Sequence, residues 1–253
     1  MAESSGFEAL VAEGASAAVE GWDFSWFEGR ASEERPPWGY ARLLSERMSR
    51  ASRALDVQTG GGEVLSQIRR PPPVLAATES WPPNLVIARH RLAPLGASVL
   101  EVDDDAALPF PDATFDLVVS RHPVTVGWEE IARVLEPGGT YFSQQVGAGS
   151  NRELIDFLMG PQLVDQTRSP QRAKAGAERA GLDVVDLRRC ALRVEFFDVG
   201  AVVCFLRKVP WTVPGFSVDA YREPLRRLND VIGAEGSFVA HSHRFLIEAR
   251  KPA

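Results

Sequence analysis

The stretch Ser52-Arg53-Ala54-Leu55-Asp56-Val57-Gln58-Thr59-Gly60-Gly61-Gly62-Glu63 decides how the rest of the chain is read. A short apolar run, Ala54 to Val57, ends in three consecutive glycines, and Val64-Leu65-Ser66-Gln67-Ile68 follows, a pattern of strand, tight turn and helix. Glycine tolerates positive φ and carries no side chain, so the backbone of such a turn can approach a ligand closely, and the helix behind it offers unpaired N–H groups. Turns of this kind bind nucleotides at the carboxyl end of the first strand of an open α/β sheet. A glycine run taken alone is as often a plain turn, so its meaning depends on the flanking sequence.

Downstream, Pro71-Pro72-Pro73 leads into Val74-Leu75-Ala76-Ala77-Thr78-Glu79, a second strand ending in an acid. An acidic side chain about 20 residues beyond the turn is placed to accept hydrogen bonds from ribose hydroxyls. Trp81-Pro82-Pro83 opens a helix over Asn84 to Leu92, and a third strand, Ala97 to Val102, runs into Asp103-Asp104-Asp105. Phe115 to Ser120 is a continuous apolar run, as expected of a central parallel strand buried on both faces. Arg121-His122-Pro123 follows it, then a helix over Trp128 to Leu135 stopped by Pro137-Gly138-Gly139, and a fifth strand, Thr140 to Val146. This alternation predicts an α/β fold with a doubly wound parallel sheet.

Upstream, residues 6–20 have helical spacing, and four aromatics crowd Trp22 to Arg30, with Trp38 and Tyr40 shortly after. These rings read either as core over a sheet edge or, with Arg30, as a lid that closes on a ligand. Beyond Gly147 come helices at Asn151–Met159 and Pro170–Ala180, strand material from Asp183 to about Phe196, an apolar helix at Val199–Leu206, a helix from Val218 to Ile232 and a final strand at Phe238–Arg250.

The 253 residues, 45% of them hydrophobic, suffice for one domain with an elaborated edge. No apolar run reaches the ~20 residues that span a bilayer, and the start lacks the basic region of a signal peptide, so a soluble cytoplasmic protein is expected. Two isolated cysteines, Cys190 and Cys204, suit neither a disulfide framework nor a zinc site, and no metal centre is expected. Residues 1–150 carry 12 basic and 21 acidic side chains and residues 151–253 carry 16 and 13. That mildly basic second part suits an anionic small molecule better than a nucleic acid. No motif speaks to oligomeric state.

Five ordered landmarks resemble the class I S-adenosylmethionine-dependent methyltransferases, in the large subgroup resembling methyltransferase type 11. They are residues 54–62, Glu79, Asp104-Asp105, Leu108-Pro109-Phe110-Pro111-Asp112-Ala113-Thr114-Phe115-Asp116, and Arg133-Val134-Leu135-Glu136-Pro137-Gly138-Gly139. The resemblance covers roughly residues 52–147 by motif. It implies a Rossmann-like seven-stranded sheet of order 3-2-1-4-5-7-6, the last strand antiparallel, with a helical cap. It also implies an N-terminal lid segment at 1–51 and a methyltransferase domain at 52–253, with 197–236 as a cap insertion. Implied cofactor-binding positions are Asp56, Gln58, Thr59, Gly60, Gly62, Glu79, Ser80, Trp81, Asp104, Asp105, Ser120 and Arg121. Gln58 departs from the family, which usually has glycine there.

The activity implied is methyl transfer from S-adenosylmethionine to an oxygen or nitrogen of a small-molecule acceptor. The cofactor supplies the reactivity, so the protein chiefly positions the acceptor and excludes water. An acceptor that must lose a proton benefits from a base, and His122, just after the fourth strand, is the candidate catalytic residue. His241 and His243 share a face of the last strand and read as structural; His90 reads as exposed. Three other readings were weighed. A nicotinamide oxidoreductase would need glycine where Leu65 stands. An RNA methyltransferase is opposed by the acidic balance, and a non-catalytic S-adenosylmethionine-binding module by the retained cofactor residues.

Overall fold

The structure, a computed structural model, describes residues 2–19 and 24–253. Trp22 and Asp23, part of the expected aromatic lid, lie outside the described residues. Among those described the chain folds as two compact units, residues 36–147, 166–190 and 244–253 forming one and residues 1–35, 148–165 and 191–243 the other.

The first of these is built on parallel strands β2 (Arg53–Val57), β3 (Val74–Glu79), β4 (Ser98–Glu101), β5 (Phe115–Arg121) and β6 (Leu135–Val146). β2 pairs in parallel with β3 and β5, β3 with β4 and β5 with β6, while β8 (Phe238–Arg250) runs antiparallel to β6. Successive residues divide between two cores, as a pleated strand requires. Ala54, Leu117, Val119, Phe142 and Leu246 face α2 (Tyr40–Met48) and α3 (Pro82–Leu92). Leu55, Val118, Tyr141, Phe245 and Ile247 face α4 (Trp128–Val134) and α6 (Pro170–Arg179).

The other unit packs α1 (Ala2–Ser16), α5 (Arg152–Met159), α7 (Val199–Lys208) and α8 (Arg222–Glu235) around Phe7, Val11, Leu154, Val202, Leu206, Leu228 and Phe238. The apolar run at 199–206 is a buried helix, with Asp198 accepting from the Ala201 N–H at its start. Gly14 and Gly200 let α1 and α7 meet backbone to backbone, since a Cβ on Gly14 would lie 2.3 Å from the Gly200 carbonyl oxygen. Arg30 donates to both oxygens of Asp198 and to Glu13, and lies over the Trp26 ring, so its guanidinium is committed within this unit.

Two expectations need correction. The described residues form eight strands, not seven, in the order β1-β7-β8-β6-β5-β2-β3-β4, with β7 at Asp183–Phe196. The addition is β1 (Ala31–Glu33), a three-residue edge strand antiparallel to β7 that is too short and too polar to read as a strand from sequence. The helix expected after the glycine turn is only a single 3₁₀ turn, Leu65–Gln67. Few residues separate Gly62 from Pro71-Pro72-Pro73, and prolines bar a longer helix.

Candidate functional site

The glycine turn owes its shape to alternation. Gln58, Gly60 and Gly62 have φ of 58°, 65° and 75°, so every second residue from 58 to 62 is left-handed. Gly62 admits no other residue on two counts, its φ and a would-be Cβ 2.9 Å from Leu92 Cγ. Arg91 donates to the Gly61 carbonyl and pairs with Glu63, holding the far side of the turn in place of a helix.

The turn is stitched to the end of β3. The Thr59 N–H donates to the Thr78 carbonyl (2.8 Å) and the Gln58 N–H to Thr78 Oγ1 (3.2 Å). Glu79, buried at 6% exposure, accepts from the Gly60 N–H (2.8 Å) and the Trp81 N–H (3.0 Å), one at each carboxylate oxygen. Burial, reinforced by nearby Asp104, raises its pKa against the pull of these donors. Asp56, inside the turn, accepts from Thr59 Oγ1 at 2.7 Å. Burial pushes its carboxyl up to about 7, with Thr59 opposing and Glu79 adding to the rise.

Gln58 is the turn's exception, and its side chain crosses to the segment after β5. Its Oε1 accepts from the Val124 N–H (2.6 Å) and its Nε2 donates to the Thr125 carbonyl (3.0 Å). Thr125 Oγ1 in turn donates to the Asp104 carbonyl (2.7 Å). The turn, the acidic loop after β4 and the loop after β5 are thereby tied together around a narrow, solvent-open cleft. Val57, Val102, Leu108, Val126 and Ile131 give it apolar walls, and Gln58, Thr78, Asp104, Ser120, Thr125, Glu130 and Tyr141 give it polar edges.

The 108–116 loop and the Arg133 segment, two separate motifs in the sequence, are one structure here. Arg133 donates to the carbonyls of Leu108 and Phe110 and to Asp112, and it pairs with Glu130, which accepts from the Leu108 N–H. Arg133 holds the Glu130 carboxyl below its usual range, so Glu130 is ionised at the cleft edge. Asp116 closes the other end by accepting from the N–H groups of Ser52 and Arg53, where β2 begins.

Of the residues expected to bind a cofactor, Gln58, Asp104 and Ser120 line the cleft. Asp56, Thr59, Gly60, Glu79 and Trp81 build the adjoining turn through the bonds above, and Gly62 seats that turn on Leu92. Ser80, Asp105 and Arg121 are not among the lining residues. Ser120 is inward-facing: its Oγ bonds Tyr141 Oη (2.7 Å) and Ser143 Oγ (2.9 Å), and its carbonyl accepts from Tyr40 Oη (3.0 Å). Burial raises the pKa of both phenols, Tyr40 most, so both stay neutral and Tyr40 donates.

His122 stands past the end of β5 in a left-handed conformation, φ 56°. Its Nε2 lies 3.0 Å from Gln144 Nε2, and Gln144 Oε1 accepts from Trp38 Nε1 at 2.8 Å. Burial, with the charges of Arg121 and Arg244, holds the imidazole pKa well below its usual value, so the ring is neutral. His241 pairs with Glu153 through Nδ1, a structural contact within its own unit. Tyr141, Thr125 and Gln144 were not singled out in the sequence, and Trp38 was read only as core or lid. The signal for the first three was polar side chains inside or just after apolar strand runs, including the buried Ser143-Gln144-Gln145 of β6.

The donor set can be tested against the cofactor that the motifs imply. A carboxylate at the end of β3, Glu79, suits a ribose diol, apolar walls beside Asp104 suit an adenine ring, and a turn with left-handed glycines brings backbone close to a ligand. The residues present fit S-adenosylmethionine. Among the described residues no cluster of His, Cys, Asp and Glu is arranged to hold a metal ion, and no helix is long and apolar enough to cross a membrane.

Residues 55–143 match the family model described as a methyltransferase domain. The chain is 35% identical over 114 residues to a ubiquinone/menaquinone biosynthesis C-methyltransferase from Geobacter sulfurreducens, covering 40% of this chain and 44% of that protein. It is 36% identical over 98 residues to a demethylmenaquinone methyltransferase from Thermus thermophilus, covering 34% and 44%. The chain thus spans less than half the length of these curated relatives. Among solved structures, a putative methyltransferase from Bacillus halodurans shares the fold at a TM-score of 0.55 and 17% identity, over 84% of this chain and 99% of that one.

Proposed function

We propose that residues 55–143, which match a methyltransferase domain, use S-adenosylmethionine in the manner of the class I enzymes, and that the chain transfers a methyl group from that cofactor to a small-molecule acceptor. The observation that carries the reading is the cleft lined by Gln58 and Asp104 between apolar walls, adjoining a turn whose Gly60 N–H is held by Glu79. Glu79 accepts from the Gly60 and Trp81 N–H groups and from the Asn84 side chain, and with its remaining acceptor capacity it would hold a ribose hydroxyl. Asp104 would face the adenine edge, Val57, Val102, Leu108 and Ile131 its faces, and the turn the methionine end.

When bound, the cofactor supplies an electrophilic methyl group on a sulfonium. What remains for the chain is to orient the acceptor in line and keep water away. Oxygen and nitrogen acceptors fit that task. The relatives named above carry quinone-pathway names, one of them as a C-methyltransferase, which adds a ring carbon as a third acceptor atom.

The reading is tested by incubating the protein with methyl-labelled S-adenosylmethionine and panels of phenols, amines and hydroquinones, with total RNA as a parallel arm. Label in a small organic product, matched by S-adenosylhomocysteine, is expected. Label in RNA alone would overturn it.

A further inference from the structure

We infer that Trp38 and Gln144 lock His122 as its Nδ1–H tautomer, so that the imidazole acts as a hydrogen-bond donor at the end of β5 and not as a proton acceptor. The argument is one of donor inventory. An indole Nε1–H can only donate, so the atom of Gln144 that lies 2.8 Å from it is the amide oxygen, and the orientation of the amide follows. The amide nitrogen then faces His122 and can only donate as well. At 3.0 Å from it, His122 Nε2 must offer a lone pair, and the ring proton of a neutral imidazole is left on Nδ1.

Backbone fixes the ring as well. The His122 N–H donates to the carbonyl of Gln144 itself (2.7 Å), so the same residue holds both ends of the histidine. Gln144 pairs with Arg121 across β5 and β6 and with Leu246 across β6 and β8, and Arg244 follows on the same face as Leu246. Trp38 and Gln144 are both buried, at 6% and 3% exposure, so water does not compete for the chain. His122 as a residue keeps some solvent exposure although its imidazole is largely enclosed, and among the described residues no hydrogen bond uses Nδ1.

The consequence bears on the acceptor and rests on the methyltransferase reading. A ligand that meets His122 presents an oxygen or nitrogen lone pair to Nδ1–H, such as a carbonyl or an oxyanion. A proton leaving the acceptor has to go elsewhere, since the only basic nitrogen of His122 is covered by Gln144. Trp38 and Gln144 are thus positioning residues for His122.

The tautomer is read directly from ¹⁵N–¹H spectra of the full-length labelled protein near neutral pH without ligand, His122→Gln identifying its signals. Wild type is expected to show a protonated Nδ1 and a pyridine-type Nε2. Gln144→Glu places a carboxylate oxygen where the amide nitrogen was, and the proton should move to Nε2. Trp38→Phe frees the amide to turn over and should give both tautomers. A wild-type spectrum with the proton on Nε2 would overturn the inference, as would a folded Gln144→Glu variant with an unchanged pattern. If that variant does not fold, Trp38→Phe and the wild type decide alone, a single unchanged tautomer in Trp38→Phe counting against it. None of these readings needs methyl transfer, so a failure here is separable from a failure of the proposed activity.

Discussion

The side-chain amide of Gln58 accepts from the backbone N–H of Val124 at 2.6 Å while donating to the neighbouring Thr125 carbonyl, so a left-handed residue in the turn after β2 clamps the loop after β5. A non-glycine residue at φ 58° costs about 1 kcal/mol. Each hydrogen bond returns roughly that much. Gln58→Gly therefore removes both strain and clamp, and its effect should be local. Global stability is expected to change by less than ~1 kcal/mol, while amide exchange at Val124 rises about tenfold. Unchanged exchange at Val124, followed by NMR, would show that the clamp does not order the loop.

Glu79→Gln keeps the volume but turns one of two acceptor oxygens into a donor, facing either the Gly60 or the Trp81 N–H. Leaving a buried N–H unpaired costs about 1–3 kcal/mol. The variant should melt lower and bind cofactor at least about tenfold more weakly, because turn and ribose contact are both damaged. Wild-type affinity in a calorimetric titration of this variant would remove Glu79 from the site.

Asp56 links the turn to pH. Its folded pKa of about 7 lies above the usual carboxyl value, so the folded state binds the proton more tightly than the unfolded one. The stability it contributes is complete below the unfolded pKa of 3.8 and is lost as pH rises through about 7. Asp56→Asn can still accept from Thr59 and does not titrate. The unfolding free energy of wild type minus variant, from denaturant titrations, should fall across that window by an amount on the order of a few kcal/mol. A difference that is flat with pH would mean that Asp56 is ionised in the folded chain.

Gly14→Ala probes packing within the helical unit. The new methyl would stand 2.3 Å from the Gly200 carbonyl oxygen, a backbone atom that cannot swing aside. Overpacking of this kind costs about 1–3 kcal/mol. Thermal melts should show the loss, and a melting temperature equal to wild type would mean that α1 and α7 separate freely.

Much of this was legible in the sequence because its signals are local. β3 and β8 fall where the apolar runs of 74–79 and 238–250 place them, and the 199–206 run is the buried helix its length demanded. What escaped depended on distant partners. β1 is a strand only because β7 offers it hydrogen bonds, and Ala31-Ser32-Glu33 has no apolar pattern of its own. The turn at 65–67 was cut short by prolines that were in plain view, yet the glycine motif suggested a longer helix. Gln58 stood out as a departure, and its left-handed φ explains why glycine suits that position. Its grip on Val124 and Thr125 spans 66 residues or more and had no local trace. The Trp38–Gln144–His122 chain joins three segments and was equally hidden, although a glutamine pair in a buried strand marked where to look.

The central claim is that the cleft beside Glu79 and the 58–62 turn holds S-adenosylmethionine, and isothermal titration of the full chain with S-adenosylmethionine and S-adenosylhomocysteine tests it most directly. The account predicts saturable binding of both, weakened in parallel by Glu79→Gln. No heat of binding for either compound at millimolar concentration, from protein shown to be folded, would contradict it.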